Sequence, residues 1–217
     1  MTDTDERITL VGGRRDTEPL PERPWQRRGG GRMAIGGLLL ALATAAEYFV
    51  LGPGTSPVLF AGFMTLFVAA AVVLASAGPL LASGGWRWAP HGLVGDSPLG
   101  HLAVYAFSGC WFLSLVAYIG YTYVFRTSAI NYDLVAVSTA LIVISVLAGL
   151  VAGVTVVRAG VAHGFSRWSL FGALACAIAS AVVIGSTDSL VVITVVKIVT
   201  ALALGVVGFG YYRAQER

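Results

Sequence analysis

Six apolar runs, each long enough to cross a lipid bilayer, constrain this chain more than any other feature of its sequence. A transmembrane helix needs roughly 20 predominantly apolar residues, and the runs lie at about 33–52, 57–83, 99–125, 134–157, 168–185 and 190–212. Hydrophobic residues make up 57% of the 217 residues and charged residues only 12%, and the mean hydropathy is +0.81. A soluble domain is typically about half apolar, so it could not bury this much apolar surface. The sequence therefore predicts an all-α, polytopic membrane bundle of about six transmembrane helices.

The polar segment 1–32 precedes the first run. It carries seven arginines and six acidic residues, and its prolines and the run Gly29–Gly31 argue against regular structure. We therefore expect a disordered cytoplasmic tail. Its second half, from Pro21 to Arg32, is net basic and contains Trp25. This basic juxtamembrane segment suits contact with anionic lipid, although a simple signal for membrane topology explains it equally well.

The arginines between the apolar runs predict the orientation of the bundle. Cytoplasmic loops carry an excess of basic residues. If the N-terminal tail is cytoplasmic, the connections on that side hold Arg87, Arg158 and Arg167, whereas the outer connections hold only Arg126. We therefore expect a multi-pass protein of a cell membrane (plasma or inner). Both termini, including the short end 213–217, are expected in the cytoplasm. The short connections after the first and fifth runs predict antiparallel hairpins.

Glu47 and Lys197 are the candidate functional pair. Lys197 is the only lysine, and both side chains lie well inside apolar runs. A rise of 1.5 Å per residue places Glu47 about 8 Å, and Lys197 about 10 Å, below the outer ends of their helices. An acid and a base at one depth can offset each other's desolvation. We therefore predict an intramembrane charge pair that joins the first and last helices.

Small and polar residues accompany both members of the pair at helical spacing. Thr44 precedes Glu47 by three residues, and Thr194 precedes Lys197 by three residues, which is about one helical turn in each case. Two tyrosines of the third run, Tyr118 and Tyr121, lie near the same level. These four residues are predicted as candidate lining of the site. An aromatic belt at the membrane interface also accounts for the tyrosines.

The chain lacks the sequence signatures of common enzymes and cofactor sites. It has no HExxH, GxSxG or phosphate-binding GxxxxGK[ST] motif, and its two cysteines and three histidines show no metal-ligand spacing. We expect no catalytic activity, no metal and no cofactor, and nothing in the charge pattern points to nucleic acid. The expected partner is the lipid bilayer. A second copy of the chain (a homo-oligomer) or a membrane partner subunit is a further alternative.

Two functions fit this description. In the first, the protein translocates a small solute or ion, and the Glu47–Lys197 pair opens or titrates during transport. In the second, the protein is a non-catalytic membrane subunit or assembly factor, and the same pair fixes the register of two helices. The sequence favours the first without identifying a substrate.

Overall fold

The computed structural model describes residues 24–51, 56–83, 92–162 and 164–213, and in these ranges the protein is an all-helical membrane bundle. Six of its helices are long and apolar enough to cross a membrane, which confirms the predicted fold. They are α1 (Pro24–Val50), α2 (Pro57–Ser83), α3 (Pro98–Ile119), α4 (Ile130–Ala159), α5 (Phe165–Gly185) and α6 (Leu190–Arg213). A π-helical turn, Gly120–Val124, extends α3.

Helix α1 begins at Pro24, inside the segment predicted to be a disordered tail. Proline suits a helix start because its missing N–H is not needed there. The glycines that argued against helix serve close packing instead: a Cβ on Gly30 would lie 2.6 Å from the backbone nitrogen of Tyr212. The rest of the predicted tail, residues 1–23, lies outside the described ranges, as do residues 214–217 of the predicted C-terminal end.

Pro79 lies inside α2 and does not end it, although a proline in a helix interior often kinks or stops the helix. The helix continues for four residues to Ser83, whose hydroxyl donates to the carbonyl of Pro79 at 2.7 Å. The carbonyl of Leu81 accepts a bond from the backbone N–H of Leu93 at 2.8 Å. The end of α2 is thus closed by its own serine and by the segment that leads into α3.

The six helices form a ring in chain order. Each helix packs against its neighbours in the sequence, and α6 packs against α1 to close the ring. The Nε of Arg27, at the start of α1, donates to the Tyr212 hydroxyl at the end of α6, at 3.2 Å. We call the end of the bundle that carries these residues the proximal end. The opposite end, with the α1–α2, α3–α4 and α5–α6 connections, is the distal end.

The seam between α1 and α6 depends on glycine. A Cβ on Gly37 would lie 2.5 Å from the backbone nitrogen of Gly205, and a Cβ on Gly208 would lie 2.3 Å from that of Ala34. Small residues allow the helix backbones to approach closely, which is how membrane helices gain packing without a hydrophobic driving force. The two helices that carry Glu47 and Lys197 are therefore held in one register.

Helices α4 and α5 pack together mainly in their proximal halves. There Gly149 faces Leu174, and Gly153 faces the ring of Phe171, so these two glycines, which form a GxxxG motif, serve packing inside the bundle. Helix α4 also bonds to α3, through Ser138 in its distal half to the Ser114 carbonyl at 3.2 Å and through Ser145 at its middle to the Phe107 carbonyl at 3.0 Å. The distal half of α5 bonds to α6, through Ser180 and Thr200 at 2.6 Å.

The surfaces of the two distal halves agree with this separation. Ile142, Val143 and Ile144 of α4 are each about half exposed, and Val182 of α5 is 68% exposed. Nothing lies within 4 Å of a Cβ built on Gly185. The ring is therefore closed between α4 and α5 at its proximal end and open between them at its distal end.

Candidate functional site

Glu47 lies in the distal half of α1 and is almost completely buried, with 5% of its side chain exposed. Its Oε1 accepts two hydrogen bonds from α3 and its extension, one from the Tyr118 hydroxyl and one, at 2.7 Å, from the Tyr123 hydroxyl. A buried carboxylate needs such donors because its desolvation is expensive. The tyrosines therefore satisfy one oxygen, and the second remains for a cation.

Lys197 of α6 supplies that cation. Its Nζ lies 3.4 Å from Glu47 Oε2 and donates to the Tyr118 hydroxyl at 3.0 Å. The ammonium also lies 4.8 Å from the centroid of the Tyr118 ring. About a third of the lysine side chain, 32%, remains exposed. The amine thus bridges α6 to α3 across the ring, although these two helices do not pack against each other directly.

The π turn explains why two tyrosines five residues apart reach one carboxylate. Five residues turn an α-helix through about 140° beyond a full revolution, so Tyr118 and Tyr123 would point to different faces. The wider turn, in which Phe125 N–H bonds to the Gly120 carbonyl at 2.8 Å, brings them to the same side. Such single-turn π-helices are often found at functional sites.

Phenylalanines of α2 pack against the rings of Tyr118 and Tyr123. The Phe67 ring stacks on Tyr118 with centroids 6.0 Å apart, and the Phe63 and Phe60 rings lie 5.5 and 5.6 Å from that of Tyr123. Phe63 and Phe67 are nearly fully buried. On this side the cluster is therefore sealed from lipid, and its hydrogen bonds form in an apolar surrounding that strengthens them.

The structure brings together only some of the predicted lining residues. Tyr118 contacts both members of the pair. The Tyr121 ring instead packs edge-on against Tyr118, with centroids 5.4 Å apart. Thr44 is buried, but its hydroxyl donates to the Leu40 carbonyl of its own helix at 2.8 Å. Thr194 is partly buried, and its side chain makes no hydrogen bond within the described ranges.

Tyr123 is the residue that sequence reasoning missed. It is not among the predicted lining residues, and regular α-helical spacing would place it on a different face from Tyr118. A run of three tyrosines in six residues around Gly120 was the available signal. The π turn that aligns two of them has no reliable sequence pattern.

A wide cavity of about 800 Å³ opens at the distal end above this cluster. It is lined by residues from the ends of α1 to α4, and Tyr123 belongs to both the cavity wall and the cluster. Polar groups at its rim include Arg126, Thr122 and Asn131. The Tyr123 hydroxyl is therefore the link between the distal surface and the buried Glu47.

A second cavity, of about 60 Å³, lies inside the ring toward the proximal end. All six helices contribute to its wall, which is almost entirely apolar, with Met33, Leu74, Trp111 and Leu204 among its residues. Tyr211 of α6 lies at this wall with 1% of its surface exposed. Together these residues form an apolar layer between the charge cluster and the proximal end.

No protein family, curated protein or solved structure matches this chain.

Proposed function

We propose that this protein resides in a cell membrane with both termini in the cytoplasm and translocates a small solute or ion, using Glu47 and Lys197 as its charge pair. The observation that carries the proposal is the continuous polar route from the distal cavity. It runs through the Tyr123 hydroxyl to Glu47, and from there to Tyr118 and Lys197. Ionisable groups at membrane depth are costly and are retained mainly where they act.

The weak direct contact of the pair supports a role that involves opening. Charge-assisted N–H···O bonds are typically about 2.7–2.9 Å long, whereas Lys197 Nζ lies 3.4 Å from Glu47 Oε2. The Tyr118 hydroxyl bonds to both partners, and the Tyr123 hydroxyl bonds to Glu47. The pair can therefore separate without leaving either charge entirely without partners, which a transport cycle requires.

The apolar layer below the cluster supports a conformation that is closed at the proximal end. Between the pair and that end the interior is lined by residues such as Leu74, Leu81 and Leu204, and the glycine seam holds α1 against α6. Water and ions avoid such an apolar layer because it offers them no hydrogen bonds. In the proposed cycle, this layer opens after the distal side has closed.

Proteoliposomes test the proposal directly. Vesicles that enclose a pH-sensitive dye report proton movement, and osmotic swelling reports the entry of urea, glycerol, acetate and glycine. We expect protein-dependent flux of at least one of these probes. The K197M and E47Q variants should lower that flux about tenfold or more, whereas Y105F, a change on an exposed tyrosine of α3, should not. Absence of flux for every probe, or flux that ignores both substitutions, would refute transport.

The rival proposal is a non-catalytic subunit or assembly factor in which the pair only locks helices together. It is favoured by the position of the pair on α1 and α6, the two helices that the glycine seam already joins. The charge swap E47K/K197E distinguishes the two. If the pair is a structural lock, the charge-swapped variant should be closer to the wild type in its unfolding free energy and in every other property than either single variant is. A transport site should recover stability without recovering flux.

A further inference from the structure

The Lys197 amine has bonding capacity that the protein does not use. An ammonium has three N–H donors. One goes to the Tyr118 hydroxyl at 3.0 Å, and a second points to Glu47 Oε2 at a long 3.4 Å. Glu47 in turn receives both tyrosine hydroxyls on its other oxygen. The acid is therefore better satisfied than the base, and the positive charge of the lysine is only partly compensated.

The unfilled side of the amine faces the open part of the ring. On one side of the bridge from α6 to α3 stand α1 and α2, whose Glu47, Phe63 and Phe67 are buried. On the other side stand α4 and α5, which separate in their distal halves. The 32% of the lysine side chain that is exposed therefore lies on the α4–α5 side of this bridge, where the distal halves of the two helices separate.

The depth of the amine fits a lipid headgroup. The backbone of residue 197 lies seven residues below the start of α6 at Leu190, or about 10 Å. A helical side chain leans toward the helix N terminus, which for α6 is the distal end. The ammonium, which bonds to Glu47 and Tyr118, therefore lies within about 10 Å of the distal end of α6, within reach of a headgroup that enters the gap.

The walls of the gap fit acyl chains. Ile142 and Val143 of α4 and Val182 of α5 present branched apolar surface that is about half exposed or more. An anion with no hydrocarbon chain would leave this surface uncovered. We infer that an anionic phospholipid of the distal leaflet binds in the gap between α4 and α5, with its phosphate on the Lys197 ammonium and its chains against these two helices. This inference does not depend on the proposed transport function.

Native mass spectrometry with phosphatidylglycerol added to the detergent-solubilised full chain tests the inference. We expect K197M to weaken the first phosphatidylglycerol-binding event about tenfold, the size of one charge-assisted hydrogen bond, and K197R to retain it. E47Q should strengthen binding, because the amine then lacks its counter-charge. A lysine with a purely structural role would not give tighter lipid binding on loss of Glu47.

Two controls identify the ligand and the site. R126M removes a distal cation outside the gap and should change the affinity less than twofold. Soluble glycerol 1-phosphate should not compete, because it has no acyl chains. Equal losses in K197M and R126M would reduce the effect to general surface charge and overturn the inference. Competition by glycerol 1-phosphate would assign the site to a free phosphate and overturn the lipid.

Discussion

At the scale of single residues, the site depends on how three side chains share one buried carboxylate. Glu47 is covered by Tyr118 and Tyr123, while Lys197 supplies a charge that is only loosely paired. Replacing a buried ion pair by apolar groups is often harmless, whereas removing one partner is costly. The cluster therefore constrains α1, α3 and α6 relative to each other even in the absence of any substrate.

The Tyr118 hydroxyl is predicted to contribute measurably to stability because it bonds to both charged partners. Y118F should lower the free energy of unfolding by about 1–3 kcal/mol, the usual cost of a buried polar group left without its partner. Reversible unfolding in mixed micelles measures this change. Y105F on the same helix removes a hydroxyl from an exposed ring and should cost much less. Equal effects would show that the Tyr118 hydroxyl is not part of a cooperative cluster.

At the scale of elements, the π turn Gly120–Val124 is equivalent to one residue added to a regular helix. It puts Tyr118 and Tyr123, five residues apart, on one side. A continuous α-helix would do so only for residues three or four apart. The element is thus a geometric device that lets two tyrosines meet Glu47.

Two single-residue deletions test this role of the π turn. Deleting Thr122 converts the spacing of the two tyrosines from five to four, so a regular α-helix should keep both on Glu47. Deleting Val124 also removes the extra residue but leaves the spacing at five, so the Tyr123 bond should be lost. We expect the second deletion to be less stable by about 1–3 kcal/mol, measured by the same unfolding assay. Both deletions shift the following chain equally, so a reversed order would contradict the role of the turn.

The glycine seam between α1 and α6 gives a second prediction at this scale. G208A would place a Cβ 2.3 Å from the Ala34 backbone nitrogen, and such overpacking typically costs about 1–3 kcal/mol or more. G205A, on the same face of α6, would meet its nearest atom at 3.5 Å and should be neutral or stabilising by about 0.5–1 kcal/mol. Thermal unfolding of the two variants measures the difference. Similar midpoints would show that the helices are not in this close contact.

At the scale of the whole molecule, six helices in chain order make a ring with a tight seam at α1–α6 and an open one between the distal halves of α4 and α5. This asymmetry places the charge cluster between the phenylalanines of α2 and the open side of the ring. The two cavities lie on either side of the cluster, a wide one with several polar residues in its lining at the distal end and a small apolar one at the proximal end.

The orientation of the ring is predicted from the distribution of arginine. Reporter fusions after residue 217 and before residue 1 should both read as cytoplasmic, because an even number of spans returns the chain to its starting side. A fusion in the α5–α6 connection, after Ser186, should read as external. An external C terminus would contradict both the number of spans and the proposed direction of the distal cavity.

The sequence by itself determined the fold class, the approximate helix bounds and the pairing of Glu47 with Lys197. These follow from one-dimensional quantities: the length of apolar runs, the rise per residue, and the cost of an isolated charge in hydrocarbon. The sequence predicted the start of α1 near residue 33, whereas the helix begins at Pro24. The difference arises because Gly30 allows close packing against α6, and this contact is visible only in the tertiary structure.

Only the tertiary structure decided which side chains surround the pair and where the ring opens. Tyr123 rather than Tyr121 bonds to Glu47, since a local π turn rotates the last turn of α3. Thr44 and Thr194 lie near the right depth but do not bond to the pair, because depth along a helix does not specify direction around it. The separation of the distal halves of α4 and α5 arises because α4 pairs with α3 and α5 with α6, and helix length and composition do not specify such pairing.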